Sequence, residues 1–376
     1  MARRRSPWGS VRKLPSGRYQ CRYRVEGIEY VAPTTFRTQR EADAHLAAVR
    51  ADLERELWID PQAGRVALAD YAWRWLDERP ALRPRTRELY ESELKLHILP
   101  MLGGTELGKL TPSTVRTWHA RLLKSDGPGP TTVAKCYRLL RAILGTAVED
   151  GLLAKNPCVI KGAGVERHEE RPIATVEEVL NLADAIEPRF RAMVLLASFT
   201  SLRLGELLGL NRRCLDLDAG TVDVVKQIQE LGKGGHYHGL PKSDAGRRTV
   251  AIPGALLPAL RLHVSMWAGV GPDDLVFPGR QGKPLRRATF YKAWHAAVNQ
   301  VGLTHLRFHD LRHTGNTLAA GTGASTKELM VRMGHSSPRA ALIYQHATKQ
   351  RDAAIARALS ATIAETKPSL LEMADP

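Results

Sequence analysis

The sequence predicts a multidomain α+β protein in three blocks: a small β-sheet plus helix, a helical bundle, and a mainly α domain with a small antiparallel sheet. Three observations predict it. Tyr19, Cys21, Tyr23 and Val25, then Ile28 and Tyr30 beyond a Glu26-Gly27 turn, follow the period of two of a half-buried hairpin. Leu68, Tyr71, Ala72, Trp75 and Leu76 recur at the spacing of one helical face. From Ile173 onward, helix-like and strand-like stretches are mixed.

In the first block, a third short strand is expected after Ala32, and Thr38 followed by Glu41 has the capping-box spacing of a helix reaching about Val49. Arg22 and Arg24 share the strand face opposite Cys21, Tyr23 and Val25. The sheet thus has an apolar face for the helix and a basic face on which Arg18, Arg22 and Arg24 are candidate DNA contacts. The competing reading is a structural hairpin domain with solvated arginines. Asp60 to Gly64 reads as a linker. The bundle continues with helices over Thr86–Ile98, Pro112–Leu123 and Thr131–Val148, separated by Pro100 and by Gly127-Pro128-Gly129-Pro130. Residues 158–172, charged and glycine-containing, read as an interdomain linker. In the third block Thr175 caps a helix with Glu177 and Glu178 in its first turn. Phe190–Leu210 reads as a buried helix, a turn and a second helix. Gly220–Gln229 and Arg247–Ile252 read as strands around a glycine-rich basic loop, and the chain from Ala255 is mostly helical. The expected boundaries are 1–60, 66–157, a linker at 158–172, 173–361, and a tail at 362–376.

With 55 Lys+Arg against 39 Asp+Glu, the formal net charge is +16. The 43% hydrophobic content is that of globular domains, so the basicity belongs to folded surfaces and favours a polyanionic partner. No run of about 18 apolar residues is present to span a bilayer, and the Arg-rich start lacks the apolar core of a secretory signal. A cytoplasmic protein with no membrane partner is expected. Cys21, Cys136, Cys158 and Cys214 lack Cys-x-x-Cys spacing, which argues against a disulfide framework or zinc finger. No carboxylate cluster has metal-ligand spacing, and no cofactor is expected.

Four local features carry the chemistry. Arg203 and Glu206 stand one helical turn apart; Lys242 precedes the strand at Arg247; His309 and Arg312 are one turn apart; His335 follows Gly334 and precedes Tyr344. Singly each has a plain explanation: a helical ion pair, a solvated turn lysine, a chance His-x-x-Arg, a core aromatic with a wet hydroxyl. Together, the order Arg, Lys, His-x-x-Arg, Gly-His, Tyr resembles the tyrosine recombinase, or phage integrase, family. The resemblance spans roughly Arg171 to Ala361 and is strongest from Phe308 to Ala347.

The resemblance implies that Arg203 and Arg312 are the catalytic arginines, Lys242 the β-hairpin lysine, His309 and His335 the two histidines, Tyr344 the nucleophile, and Glu206 the acidic support of Arg203. It implies a site-specific integrase working through a 3′-phosphotyrosyl intermediate, with an arm-binding sheet, a core-binding SAM-like bundle and a catalytic domain. Its implied partners are double-stranded attachment-site DNA, further copies forming a homotetramer, a host DNA-bending protein and an excisionase, on DNA in a bacterial host. Ser201 departs from the family's glycine and Met333 from its leucine, swaps expected to touch packing rather than chemistry. A resolvase-type recombinase, a type IB topoisomerase-like strand transferase and a non-catalytic DNA-binding regulator remain the alternatives.

Elementary chemistry supports the same roles. A phenol, with a pKa of about 10, is a weak nucleophile at neutral pH and needs a base or strongly positive surroundings. Guanidiniums can hold non-bridging phosphate oxygens bidentately. A lysine can protonate the leaving 5′-oxygen, His309 is the natural acceptor for the tyrosine proton, and His335 can donate to a phosphate oxygen. Side chains then supply the charge stabilisation, so Mg²⁺ is not expected to be required.

Overall fold

The structure, a computed structural model, describes residues 8–55, 58–166, 171–232, 234–241, 244–344, 356–357 and 359–363. The chain divides into two compact units, Met1–His168 and Glu169–Pro376.

The first unit opens with an antiparallel sheet of β1 (Gly9–Lys13), β2 (Tyr19–Val25) and β3 (Ile28–Val31), packed by α1 (Gln39–Glu54). Glu26 and Gly27 both have positive φ, as a two-residue hairpin turn requires. Cys21 is buried with Ala42 of α1, and Thr38 and Glu41 form the expected capping box. The third strand is β1, which precedes the hairpin. After Ala32 only a single bridge from Phe36 to Tyr19 remains, because Pro33 has no N–H to continue a ladder.

Five helices follow: α2 (Leu68–Asp77), α3 (Pro84–Glu93), α4 (Leu99–Leu102), α5 (Pro112–Leu122) and α6 (Pro130–Glu149). The five apolar residues at helical spacing in α2 are all buried. The helix expected to reach Ile98 instead widens at Leu94–Ile98 into a π-helical stretch ahead of Pro100. A proline ring collides with the carbonyl four residues back, and a widened turn accommodates it. Both expected linkers are partly packed. Gly64 is buried so tightly that a Cβ there would lie 2.9 Å from Gly108 Cα. The Ile160 N–H donates to the Tyr137 hydroxyl at 2.7 Å, and Arg138 donates to the Gly164 carbonyl at 2.8 Å.

The second unit contains α7 (Val176–Ala185), α8 (Pro188–Thr200), α9 (Leu204–Leu208), β4 (Leu215–Asp216), β5 (Thr221–Val224), β6 (Gln227–Glu230), β7 (His236–Gly239), β8 (Arg248–Ala251), α10 (Leu257–Met266), α11 (Arg287–Gln300), α12 (Phe308–Gly321), α13 (Thr326–Met333) and α14 (Pro338–Leu342). Nearly all of α8 is buried, which is why its sequence shows no apolar stripe. The strand expected over Gly220–Gln229 is two: β5 pairs between β4 and β8, while β6 hairpins with β7. The break falls at exposed Val225 and partly buried Lys226, after which buried Gln227 packs its backbone on Gly209. Among the described residues no helix is long and apolar enough to cross a membrane. The four cysteines are free and buried.

Candidate active site

The site is framed by α8 and α12, which pack closely because Gly315 has no side chain; a Cβ there would run into the Ser198 carbonyl. After α8, Ser201 turns the chain in the left-handed conformation (φ 57°, ψ 28°), and Arg203 becomes the N-cap of α9. The backbone itself thus explains a preference for glycine at this position, where a Cβ costs energy. The departure at Ser201 touches backbone geometry beside the chemistry, more than the packing effect expected from sequence. Its carbonyl accepts a hydrogen bond from Arg312 Nη1.

Glu206 is buried between two arginines. Its Oε1 accepts from Arg203 Nη1 at 2.7 Å, and its Oε2 from Arg248 Nη2 at 2.9 Å and from the Arg203 N–H at 3.0 Å. Burial alone would raise the Glu206 pKa, but Arg248 and Arg203 outweigh it and hold it below the usual range. Arg248 also donates to the Gly246 carbonyl at 3.0 Å and to the Arg332 carbonyl at 2.8 Å. It therefore ties the turn before β8, α9 and the end of α13 to one guanidinium.

α12 supplies Arg312, which is 4% exposed and bonds the Ser201 and Met333 carbonyls and, at 3.2 Å, His335 Nε2. Burial, then Arg203 and Arg248, press against its charge, yet a guanidinium stays protonated at any working pH. Gly334 caps α13 in the left-handed conformation and delivers His335 to Arg312. Burial and then Arg312, Arg203 and Arg248 push His335 down to about 4. The neutral ring, accepting at Nε2, carries its proton on Nδ1, which is buried without a partner among the described residues.

Tyr344 is half-buried, packed with Leu329, Met333 and Ala341. Its hydroxyl bonds His313 Nδ1 at 2.6 Å. His309, the acceptor expected from sequence, is exposed and meets the His313 ring edge-on at 5.3 Å between centroids. Partial desolvation of the His309 ring, then Arg312 and Arg171, lower its pKa. Arg171 pairs with Asp310 at 3.0 Å beside it.

The structure thus gathers Arg203, Glu206, Arg312, His335 and Tyr344, with His309 at the edge; Lys242 lies outside the described residues. Sequence reasoning missed Arg248, which had no motif, and His313, which directly follows Arg312 and was given no role. On the first unit, Arg22 pairs with Glu29 at 3.1 Å, Arg24 with Glu29 at 3.9 Å, and Arg18 donates to Thr35 Oγ1 at 2.6 Å. Among the described residues no group of three or more His, Cys, Asp or Glu is placed to hold a metal ion.

Three family models match the chain: the phage integrase family over residues 173–351, the phage integrase N-terminal domain over 7–55, and the phage integrase N-terminal SAM-like domain over 67–123. A protein of Mycobacterium tuberculosis, named for prophage phiRv2 as its integrase, is 39% identical over 368 residues, covering 95% of this chain and 96% of that one. The integrase of Mycobacterium phage L5 is 35% identical over 373 residues, covering 96% and 98%. The Tn1549 transposon integrase, solved with a circular intermediate DNA, superposes with a TM-score of 0.68 at 22% identity, over 78% of this chain and 99% of that one, a likeness of fold.

Proposed function

The chain belongs to the phage integrase family of tyrosine recombinases, and from that premise we propose that it cuts and rejoins DNA at specific sites with Tyr344 as nucleophile. The observation that carries the assignment is the convergence on Arg312. One buried guanidinium bonds the turn that presents Arg203 and the loop that presents His335, and its helix bonds the Tyr344 hydroxyl through His313.

A scissile phosphate seated between Arg203 and Arg312 meets preformed positive charge where its non-bridging oxygens become more negative in the transition state. Glu206 fixes Arg203 in place, and His335 is held against Arg312 at the edge of the phosphate position. Lys242 is assigned to protonate the departing 5′-oxygen. Each protomer carries one nucleophilic tyrosine and cuts one strand, so exchange between two duplexes calls for one protomer per strand, a homotetramer on paired attachment sites. A host DNA-bending protein and an excisionase are proposed as accessory partners, and the basic face of the N-terminal sheet as an additional DNA contact. The cytoplasm is the proposed place of action.

The test uses purified protein and a supercoiled plasmid carrying the DNA that flanks this gene. Wild type should form a covalent protein–DNA adduct, and Tyr344→Phe should bind the DNA but form none. Adduct formation by Tyr344→Phe at an undiminished rate would falsify the assignment of the nucleophile.

A further inference from the structure

We propose that His313 is the base that takes the phenolic proton from Tyr344, an inference resting on Tyr344 as the nucleophile. His313 Nδ1 lies 2.6 Å from the Tyr344 hydroxyl, and the two rings are 5.7 Å apart between centroids and inclined by 39°. This is hydrogen-bond reach, the first requirement of a general base. His309 has no such bond to Tyr344 among the described residues.

The protonation state fits. Burial comes first, followed by His309 and Arg171, with Arg312 adding to them and Asp310 opposing; together they push His313 down to about 4. The ring is therefore neutral before DNA arrives, and Nδ1 can accept. The charged groups around it come from its own helix (His309, Asp310, Arg312) and from Arg171 in the segment before α7. A bound phosphodiester adds negative charge beside Arg312 and relieves the repulsion that holds the imidazolium down. The acceptor then moves toward the neutral range where a base works best.

In the step itself the Tyr344 oxygen attacks phosphorus and the O–P bond forms. The phenolic proton passes to His313 Nδ1. The P–O5′ bond breaks with its electron pair on the 5′-oxygen, which takes a proton from Lys242. Rejoining reverses each transfer: the incoming 5′-hydroxyl gives up its proton, and His313 returns one to the tyrosine.

The test is single-turnover cleavage by the full chain, as wild type, His313→Gln and His313→Asn, across pH 6.5 to 9. Either amide can accept the phenol's hydrogen bond but cannot take its proton. DNA binding should persist in both variants and cleavage fall by about 10²–10⁴-fold. The variant rate should climb roughly tenfold per pH unit, as solvent takes over the deprotonation, while wild type stays flatter. A substrate with a 5′-bridging sulfur, whose leaving group needs no proton, should rescue Lys242→Ala and leave His313→Gln slow. Near-normal cleavage in both amide variants, rescue of His313→Gln by the sulfur substrate, or the steep pH dependence appearing in His309→Gln instead overturns the proposal. Failure of the nucleophile assignment is separate, since it shows as adducts from Tyr344→Phe.

Discussion

Arg248 is where stability and chemistry meet at the scale of one residue. Its side chain and that of Glu206 are each 2% exposed, and the carboxylate it neutralises also orients Arg203. Removing one partner of such a pair strands a buried charge and costs about 3–5 kcal/mol, whereas removing both is far milder. Arg248→Met should therefore destabilise the protein by about that amount and slow cleavage. Adding Glu206→Gln should recover much of the stability but not the cleavage, because Arg203 remains unsupported. Urea unfolding and single-turnover cleavage of wild type and the two variants would read both effects; an Arg248→Met protein as stable as wild type would remove Arg248 from this role. The Arg203–Glu206 contact was legible because it spans one helical turn. Arg248 was not, because 42 positions separate it from Glu206 and only the packing of β8 against the site brings them together. Likewise the sequence holds four histidines between Phe308 and Ala347, and only the placement of Tyr344 says that its hydroxyl meets His313.

At the scale of an element, the N-terminal sheet has the two faces its period-two pattern implies, but its basic face is not bare. Register places Glu29 of β3 opposite Arg24 of β2, within reach of Arg22 as well. These side chains are 41–64% exposed, so the pairs add little stability; their effect is on the field a DNA backbone meets. Glu29→Gln should tighten DNA binding and steepen its salt dependence, whereas Arg24→Ala should weaken binding and reduce the slope by about 1. Anisotropy titrations of a labelled duplex from the flanking DNA, over a salt series, would check this. If both variants keep the wild-type slope, this face does not contact phosphate. The period of two revealed the faces because it is local; the strand that completes the sheet comes from the far side of β2, and a hairpin pattern does not specify its third partner.

For the whole molecule, Glu93 in the first unit and the site histidines in the second should pull stability in opposite directions as pH changes. In the second unit His313 and His335 lie at about 4 instead of 6.5. Between those values the unfolded chain binds more protons, so stability is lost as pH falls from about 6.5 toward 4. In the first unit, burial raises Glu93 to about 7 from 4.5, partly offset by Lys135 and Arg138. There the folded state binds more protons, so stability is lost as pH rises from about 4.5 through 7. The units have separate cores. Calorimetry between pH 5 and 7.5 should show the second unit's transition rising with pH, and Glu93→Gln should remove the fall that Glu93 imposes on the first, leaving the opposite pull of His45 and His119, whose pKa values burial lowers. Parallel movement of both transitions, unchanged by Glu93→Gln, would show that these groups do not govern the response.

Local spacing carries the helices and strands whose apolar residues repeat at a local period, the caps at Thr38 and Thr175, and most of the side chains gathered around Arg312. All of these are written within a few positions of the chain. Long-range packing sets the rest: Gly220–Gln229 divides between two sheets, Ser201 occupies a left-handed turn, Arg248 shares Glu206, and Tyr344 meets His313 and not His309. The first depends on β6 packing against α9, and the other three on the close approach of α8, α12, α13 and β8. That approach is set by which surfaces bury one another, and distant segments of a chain do not announce their partners through local spacing.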